Sequence, residues 1–254
     1  MDCEENRHLN QPACAIAIMA KLPEPGKVKT RLCPPLSPGQ AADLYEAFFL
    51  DTVSLVSGIE HTDLFVAYDP STAWNFFSRR VSATVKCIPQ GRGDLGDRLS
   101  RICHQVFLRG YRKVIILASD TPHLPQDVVR SAIARLDEID VVLGPCDDGG
   151  YYLIGLRFRA PALFAGIPWS TSQVLDRTIQ RAQEAGMTWE LLPPGYDIDT
   201  WEDAERLSKD LECNAAGDSD RCMRTKKALR YLVFGHAAQT IVSCHNEIHP
   251  KRHI

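Results

Sequence analysis

The feature that most constrains the fold is a repeated alternation of short apolar runs with amphipathic stretches of helical length. Ala13–Ala20 and Lys113–Ala118 are short and almost wholly apolar, which is typical of strands buried on both faces of a sheet. Asp94–Arg109 carries apolar residues at helical spacing and is followed by Gly110, a residue that commonly ends helices. Strands that alternate with helices predict an α/β domain with a doubly wound, mostly parallel sheet.

The remaining segments continue this alternation. Ser37 and Gln40 form the pattern of a capping box at the start of the first helix. Further strands are predicted at Thr62–Asp69, Ala83–Pro89, Asp140–Gly144, Tyr151–Leu156 and Trp189–Leu192. Further helices are predicted at Gln126–Leu136, Ser172–Ala185 and Trp201–Leu211. Because such sheets bind ligands at the carboxyl ends of their strands, polar residues that directly follow a strand are the candidate functional residues.

The two ends of the chain differ in character from the alternating part. Residues 1–12 are a polar extension, residues 13–213 are the predicted α/β domain, and residues 214–254 are predicted to be a helical or mobile tail. Three histidines, His245, His249 and His253, are spaced as on one helix face, but Pro250 interrupts such a helix. We therefore favour an appendage over a metal site, and expect part of it to pack on the domain or on the partner of a homo-oligomer.

Composition excludes several classes of protein. Lys plus Arg is 29 and Asp plus Glu is 32, so the net charge of −3 lacks the basic excess of a nucleic-acid-binding protein. No apolar run reaches the roughly 18 residues that a membrane helix needs, and Met1–Asn10 has no signal-peptide core. Nine scattered cysteines without a C-x-x-C pair favour a reducing compartment. We expect a cytoplasmic protein with no membrane span and no nucleic-acid partner.

The loop after the first apolar run is strongly basic. Lys21, Lys27, Lys29 and Arg31 lie within eleven residues of a loop shaped by proline and Gly26. Lysine, arginine and backbone N–H groups together suit a phosphate-bearing ligand. The loop is not a Walker motif, and a merely solvated basic loop remains the alternative.

A glycine-rich segment opens the predicted helix that ends at Arg109. It begins at Gln90 and contains Gly91, Gly93 and Gly96, so the backbone could approach a ligand closely. The pattern resembles a dinucleotide-binding G-x-G-x-x-G only loosely, and a simple turn before a helix explains it equally well.

Acidic residues follow three predicted elements. Asp120 comes just after a fully apolar strand, where a carboxylate must be solvated, capped or bound to a metal such as Mg²⁺ or Mn²⁺. Asp147 and Asp148 form a tight turn with two glycines, which an ordinary hairpin also explains. Asp197 and Asp199 precede the last helix, where Asp199 or Thr200 could simply be an N-cap. Taken together with the basic loop, these acids predict one site for phosphate and metal.

Six phrases occur in order along residues 13–212: KLPEPGKVKTRL, GDLGDRL, SDTPHL, LGPCDDGGYYLIGL, IPWSTSQVL and DIDTWEDA. In these phrases the chain resembles a bacterial family, once called a domain of unknown function, of glycosyltransferases of the arsenosugar-biosynthesis type. The resemblance implies a nucleotide-diphospho-sugar transferase (GT-A, Rossmann-like) fold for residues 13–213. A sister group, the phospholactate guanylyltransferases, shares the basic first loop, the acid after the central strand and the Asp-Gly-Gly turn.

The resemblance also implies roles for individual residues. Nucleotide and phosphate contacts are implied for Lys21, Gly26, Lys29, Arg31, Gln90, Gly91 and Arg98. Asp120 takes the position of the metal-binding acid, although a single S-D-x-P stands where other members of the fold have D-x-D. Asp199, together with Asp197, matches the second metal ligand. Acceptor contacts are implied for Gly149, Gly150, Tyr151, Trp169 and Ser170.

The resulting hypothesis is metal-dependent transfer of a glycosyl group from a nucleotide-diphospho-sugar to a small-molecule acceptor. Mg²⁺ or Mn²⁺ would bridge Asp120, Asp199 and the diphosphate, and Asp148 would be the catalytic base if the reaction inverts. Nucleotidyl transfer is the alternative, in which a phosphorylated small molecule attacks a nucleoside triphosphate and pyrophosphate leaves; the four-cation loop suits a triphosphate. A non-catalytic nucleotide sensor is the second alternative.

Overall fold

A computed structural model describes residues 13–213 and 221–232 of the chain. These residues form two compact units, each assembled from separate stretches of chain. The first unit comprises residues 13–22 and Thr52–Asp197, and the second comprises Pro23–Asp51 with the described residues from Ile198 onward. The structure thus divides the described chain differently from the sequence-based boundaries at residues 13–213 and 214–254, which stay a prediction.

The first unit contains a seven-stranded sheet in the order β3-β2-β1-β4-β6-β5-β7. Its strands are β1 (Cys14–Lys21), β2 (Thr62–Asp69), β3 (Lys86–Pro89), β4 (Lys113–Ala118), β5 (Val141–Pro145), β6 (Tyr151–Leu156) and β7 (Trp189–Leu191). All neighbours pair in parallel except β6, which is antiparallel to both β4 and β5. The predicted doubly wound, mostly parallel sheet is confirmed.

The exception at β6 follows from the length of the connection that precedes it. A parallel neighbour needs a crossover of a dozen or more residues, whereas only the turn 146–150 separates β5 from β6. The short turn therefore forces the chain to reverse, and it places this turn at the sheet edge where the parallel strands β1 and β4 end. The predicted bounds of β2, β4 and β6 coincide with the observed ones.

Four helices belong wholly to the first unit: α2 (Trp74–Ser78), α3 (Leu95–Phe107), α4 (Gln126–Arg135) and α5 (Val174–Glu184). In α3, Asp94 and Asp97 form a reciprocal capping box, and Leu99, Ile102 and Val106 are buried in the core beside the sheet. The apolar spacing that predicted this helix is thus the face that it buries. The short helix α2 was not predicted, and the third strand begins at Lys86 rather than Ala83.

The second unit contains the start of α1 (Pro38–Ser57), α6 (Trp201–Cys213) and a further helix, α7 (223–232). Ser37 and Gln40 form the predicted capping box of α1, with Ser37 N–H donating to Gln40 Oε1 at 2.8 Å. The Asp51 carboxylate is buried and accepts hydrogen bonds from the backbone N–H groups of Arg224 and Thr225, so it caps the start of α7. The helical or mobile character predicted for residues 214–254 as a whole stays a prediction, and His245, His249 and His253 lie outside the described residues.

No helix among the described residues combines the length and the apolar character that crossing a bilayer requires.

Candidate functional site

A cluster of carboxylates surrounds one thiol in the first unit. Asp120 follows β4, Cys146 directly follows β5, Asp148 lies on the turn before β6, and Asp197 ends the unit. Ligand atoms of Cys146, Asp148 and Asp197 all lie within 4.8 Å of one another, and carboxylate oxygens of Asp120 and Asp197 approach equally closely. We call these four residues the carboxylate cluster. It lies where sheets of this kind bind ligands, at the carboxyl ends of β4 and β5.

The electrostatic environment of this cluster is strongly negative. Burial raises the pKa of the Cys146 thiol, and the carboxylates of Asp197, Asp148, Asp120 and Asp147 raise that pKa further. Carboxylates held this close repel one another, so the arrangement favours the arrival of a cation.

The turn that carries Asp148 is fixed by its glycines and by α5. Gly150 N–H donates to Asp148 Oδ1 at 2.8 Å, which orients the carboxylate. Gly149 has a left-handed backbone (φ +85°), and a Cβ there would lie 2.2 Å from the carbonyl oxygen of Ser172, so only glycine fits. Gly149 O also accepts the N–H of Leu175 at 2.9 Å. The Asp-Gly-Gly turn therefore holds Asp148 against the first turn of α5, beyond what an isolated hairpin needs.

An aromatic contact that the sequence did not reveal supports the same cluster. The ring centroids of His123 and Tyr196 lie 4.2 Å apart, and Tyr196 is buried. His123 follows Asp120 by three residues and Tyr196 immediately precedes Asp197. The contact thus joins the two backbone segments that carry the paired carboxylates.

The third predicted metal ligand, Asp199, lies in the second unit and is engaged by two cations there. Lys29 Nζ lies 2.6 Å from Asp199 Oδ1, and a guanidinium nitrogen of Arg31 lies 3.5 Å from Oδ2. The Lys29 side chain is only 7% exposed, whereas that of Arg31 is 70% exposed. Of the basic residues predicted to bind phosphate, Lys29 is therefore committed to an internal ion pair, and Arg31 retains most of its surface for a ligand.

The helix after Asp199, α6, also begins with a capping box. Thr200 N–H donates to Asp203 Oδ2 at 2.7 Å, and Asp203 N–H donates to Thr200 Oγ1 at 3.3 Å. Asp199 N–H also donates to Asp203 Oδ2, at 3.1 Å. Thr200 is thus the N-cap, the simpler interpretation that the sequence left open, and Asp199 keeps its carboxylate for Lys29 and Arg31.

The glycine-rich segment before α3 is held mainly by contacts within the first unit. Gln90 is buried and its amide nitrogen donates to the carbonyls of Ala20 and Ala67, at 3.1 and 2.8 Å. Arg98 pairs with Asp69 at 2.9 Å and also donates to Gly93 O. These residues connect the loop to β1 and β2, and their predicted contacts with a nucleotide stay a prediction.

The other predicted binding residues occupy varied positions. Lys21 is exposed at the end of β1, and Gly26 in the second unit has φ +77°. Gly91 has φ +80°, and a Cβ there would lie 2.8 Å from the Arg101 guanidinium. Among the predicted acceptor residues, Tyr151 and Trp169 pack against the core, whereas Ser170 is exposed with φ +63°. The structure therefore directs the two aromatic residues inward, and their contact with an acceptor stays a prediction.

The chemistry of the donors in the carboxylate cluster fits a divalent cation. Carboxylate oxygens from Asp120, Asp148 and Asp197 are the ligands that Mg²⁺ and Mn²⁺ prefer in proteins. Cys146 adds a sulfur atom that sequence reasoning overlooked. The signal was its position between a predicted strand and two adjacent acids, a setting unlike that of the cysteines inside apolar runs.

Comparison with known proteins agrees with the architecture. The crystal structure of a candidate nucleotide-diphospho-sugar transferase from Desulfovibrio desulfuricans G20 is 32% identical to this chain, covers 87% of it and 95% of its own length, and superposes with a TM-score of 0.80. A bacterial family model, described as uncharacterized protein conserved in bacteria (DUF2064), matches residues 52–171. The fold is thus that of the nucleotide-diphospho-sugar transferases. The chain belongs to the DUF2064 family.

More distant structures share the fold alone. One is CMP:2-keto-3-deoxy-manno-octonic acid synthetase in complex with CTP, with 15% identity, coverage of 79% of this chain and 98% of that one, and a TM-score of 0.51. Another is 4-diphosphocytidyl-2C-methyl-D-erythritol synthase from Anaerococcus prevotii DSM 20548, with 11% identity, coverage of 82% and 99%, and a TM-score of 0.55. No curated protein matches the chain.

Proposed function

We propose that the protein is a transferase that moves a glycosyl group from a nucleotide-diphospho-sugar to a small-molecule acceptor, with the help of a divalent cation. The observation that carries this proposal is the convergence of Asp120, Asp148 and Asp197 at the carboxyl ends of β4 and β5. The 32% identity to a candidate nucleotide-diphospho-sugar transferase supports the choice of donor. The sequence resemblance to transferases of the arsenosugar-biosynthesis type adds a hypothesis for the pathway that supplies the acceptor.

The residues of the carboxylate cluster divide the work. Asp120 and Asp197 would hold Mg²⁺ or Mn²⁺, in line with their close carboxylate oxygens. A bound divalent ion would neutralise the negative charge that develops on the phosphates of the leaving nucleotide. Asp148, oriented by the Gly150 N–H, would accept the proton of the acceptor hydroxyl in an inverting reaction. Asp199 is also predicted to bind the metal, but its carboxylate already forms ion pairs with Lys29 and Arg31, and a metal ion would compete with these two cations for it.

Arg31 is the residue of the basic loop that we expect to contact donor phosphates, because most of its guanidinium surface is exposed. Replacing it, as Arg31→Ala, should weaken nucleotide binding about tenfold, the effect of losing one charge-assisted contact of about 1.4 kcal/mol. Isothermal titration calorimetry would measure the change. Lys27→Ala is the matched control, because Lys27 is exposed and forms an ion pair with the nearby Glu24. Equal affinities for the two variants would contradict a phosphate contact through Arg31.

The decisive experiment is an analysis of products. The full-length protein is incubated with UDP-, GDP-, ADP- and dTDP-sugars and with free nucleoside triphosphates, in Mn²⁺ and in a chelator. Release of a nucleoside diphosphate from a nucleotide-sugar, abolished by the chelator and in Asp120→Ala, is the expected result. Binding of nucleotide without turnover of any donor would instead support a nucleotide sensor.

Nucleotidyl transfer is a second candidate, supported by the fold shared with two cytidylyl-transferring synthases, one of them in complex with CTP. In this reaction a phosphorylated acceptor attacks the α-phosphate of a nucleoside triphosphate. The same assay separates the two candidates, because pyrophosphate would then be released from a triphosphate and the nucleotide-sugars would remain intact.

A further inference from the structure

Cys146 differs from the other buried cysteines of the first unit in what surrounds it. Cys103 lies in the core among apolar side chains, and burial alone raises its pKa to about 12. Cys146 is 8% exposed, yet its electrostatic neighbours are carboxylates. Among the described residues, Cys146 is a free cysteine that forms no disulfide. The Cys146 sulfur thus lies beside carboxylates that could share a cation with it.

The spacing of the donor atoms around Cys146 suits a metal ion. Cys146 Sγ and carboxylate oxygens of Asp148 and Asp197 lie within 4.8 Å of one another, a separation that one cation can span. We propose that Cys146 Sγ is a metal ligand together with Asp148 and Asp197, so that the site selects thiophilic divalent ions such as Zn²⁺ or Cd²⁺ over Mg²⁺. This inference rests on the proposed function in one respect, that the carboxylate cluster binds a divalent ion.

The selectivity follows from the chemistry of the donors. Mg²⁺ requires hard oxygen ligands and retains several waters, whereas sulfur is soft and binds Zn²⁺ and Cd²⁺ strongly. As the bond between Sγ and the metal forms, Cys146 releases its thiol proton to the solvent, and no electron is transferred.

Asp148 can serve both this site and the proposed reaction. A carboxylate has about four lone-pair sites on its two oxygens, and the Gly150 N–H uses one of them at Oδ1. One oxygen can therefore contact the ion while the carboxylate still accepts a hydrogen bond from an acceptor hydroxyl.

The test compares metal binding in the full-length protein with binding in Cys146→Ser and Cys146→Ala. Titrations with Cd²⁺ and with Mg²⁺ are followed by calorimetry in buffers of different ionisation enthalpy, which counts released protons. The ultraviolet absorbance of cadmium thiolates reports sulfur coordination. Cys213→Ser is the matched control, because Cys213 is an exposed cysteine of α6 in the other unit. Circular dichroism verifies that each variant is folded, and the alanine variant excludes coordination by the serine hydroxyl.

Both Cys146 variants should lose at least about tenfold in Cd²⁺ affinity, one released proton and the matching part of the absorbance band. Mg²⁺ affinity should change less than about twofold, since that ion depends on the oxygens. Unchanged Cd²⁺ affinity and absorbance in both variants would overturn the role of Cys146 while leaving a metal-dependent transferase intact. If Asp197→Asn alters the affinity for neither ion, the cluster binds no metal, and this inference fails together with the metal dependence of the proposed function.

Discussion

Acidic residues at the two ends of the sheet lie in different surroundings. At the amino ends of β2 and β3, Asp63 accepts hydrogen bonds from Lys86 at 2.7 Å and from the Tyr111 hydroxyl. At the carboxyl ends of β4 and β5, Asp120 and Asp148 face other acids and a thiol. Acids in ion pairs stabilise a fold, whereas acids clustered around a thiol are expected where a ligand binds. We therefore expect Asp63 to act on stability and the clustered acids to act on activity.

The pKa of Asp63 reflects this difference. Burial alone would raise it, but the hydrogen bonds from Lys86 and Tyr111 outweigh burial and hold the pKa below its usual value of 3.8. The same partners raise the pKa of Lys86 against the opposing effect of burial. Both shifts favour the charged forms of the pair, as a stabilising interaction requires.

Replacement of Asp120, an acid of the carboxylate cluster, should have the largest effect, and this effect should be on catalytic activity. Asp120→Asn should lower the turnover about a thousandfold, equivalent to about 4 kcal/mol, because the divalent ion loses a ligand. Its free energy of unfolding should stay unchanged or rise, since a repulsive charge is removed. Steady-state kinetics and urea denaturation measure the two quantities. A stability loss as large as the loss in activity would make Asp120 a structural acid and break the comparison.

The doubled acid on the turn offers a matched pair. Asp148→Asn should lower the turnover about a hundredfold through loss of the proton acceptor, if the reaction inverts. Asp147→Asn should have a much smaller effect, because Asp147 has the weakest influence of the four carboxylates on Cys146 and lies outside the group of close ligand atoms. Assays of both variants under one condition suffice. Comparable losses would assign the catalytic role to the turn as a whole.

A partnered acid in the second unit should affect stability. Asp51→Ala removes the cap of α7 and leaves the N–H groups of Arg224 and Thr225 without their acceptor, at a cost of about 1–2 kcal/mol. Asp43→Ala is the control, because Asp43 lies on α1 like Asp51 but is exposed. Its replacement should cost less than about 0.5 kcal/mol. Urea denaturation would compare them. Equal free energies of unfolding for the two variants would mean that the cap of α7 by Asp51 does not stabilise the protein.

The smallest effect is expected at Asp63. Asp63→Asn should cost about 1 kcal/mol at neutral pH and leave donor turnover unchanged. Because its pKa is depressed in the folded state, its contribution is present above pH 3.8 and is lost as the pH falls through the lower folded-state value. The difference between wild type and variant should therefore shrink in strong acid. If the difference in free energy of unfolding between wild type and Asp63→Asn is constant from neutral pH to acid, the contribution of Asp63 comes from packing and not from its charge.

Local signals predicted most of the fold. The bounds of β2, β4 and β6 were predictable because turn-forming residues flank compact β-prone runs. The five-residue helix α2 is too short to show a period, and the edge strand β3 begins later because only Lys86–Pro89 finds a partner on β2.

The candidate site was predictable in its residue types and less so in its pairings. Asp120 and Asp148 stood out as acids after strands, and the structure brings both into one cluster with Asp197. The ion pair of Lys29 with Asp199 joins residues 170 positions apart, and no local pattern reveals such a contact. Cys146 was not predicted as a site residue, because the role of a single cysteine depends on residues that are close in space and not in sequence.

The order in which the second unit's segments appear along the chain has a consequence for biosynthesis. Its first segment, Pro23–Asp51, and its helix α6 lie on opposite sides of the whole stretch Thr52–Asp197 in the sequence. On the ribosome, Lys29 therefore emerges long before its partner Asp199, whereas the strands of the sheet follow one another closely. The sheet-containing unit can begin to fold during translation, and the other unit is completed only when residues beyond Asp197 have left the exit tunnel.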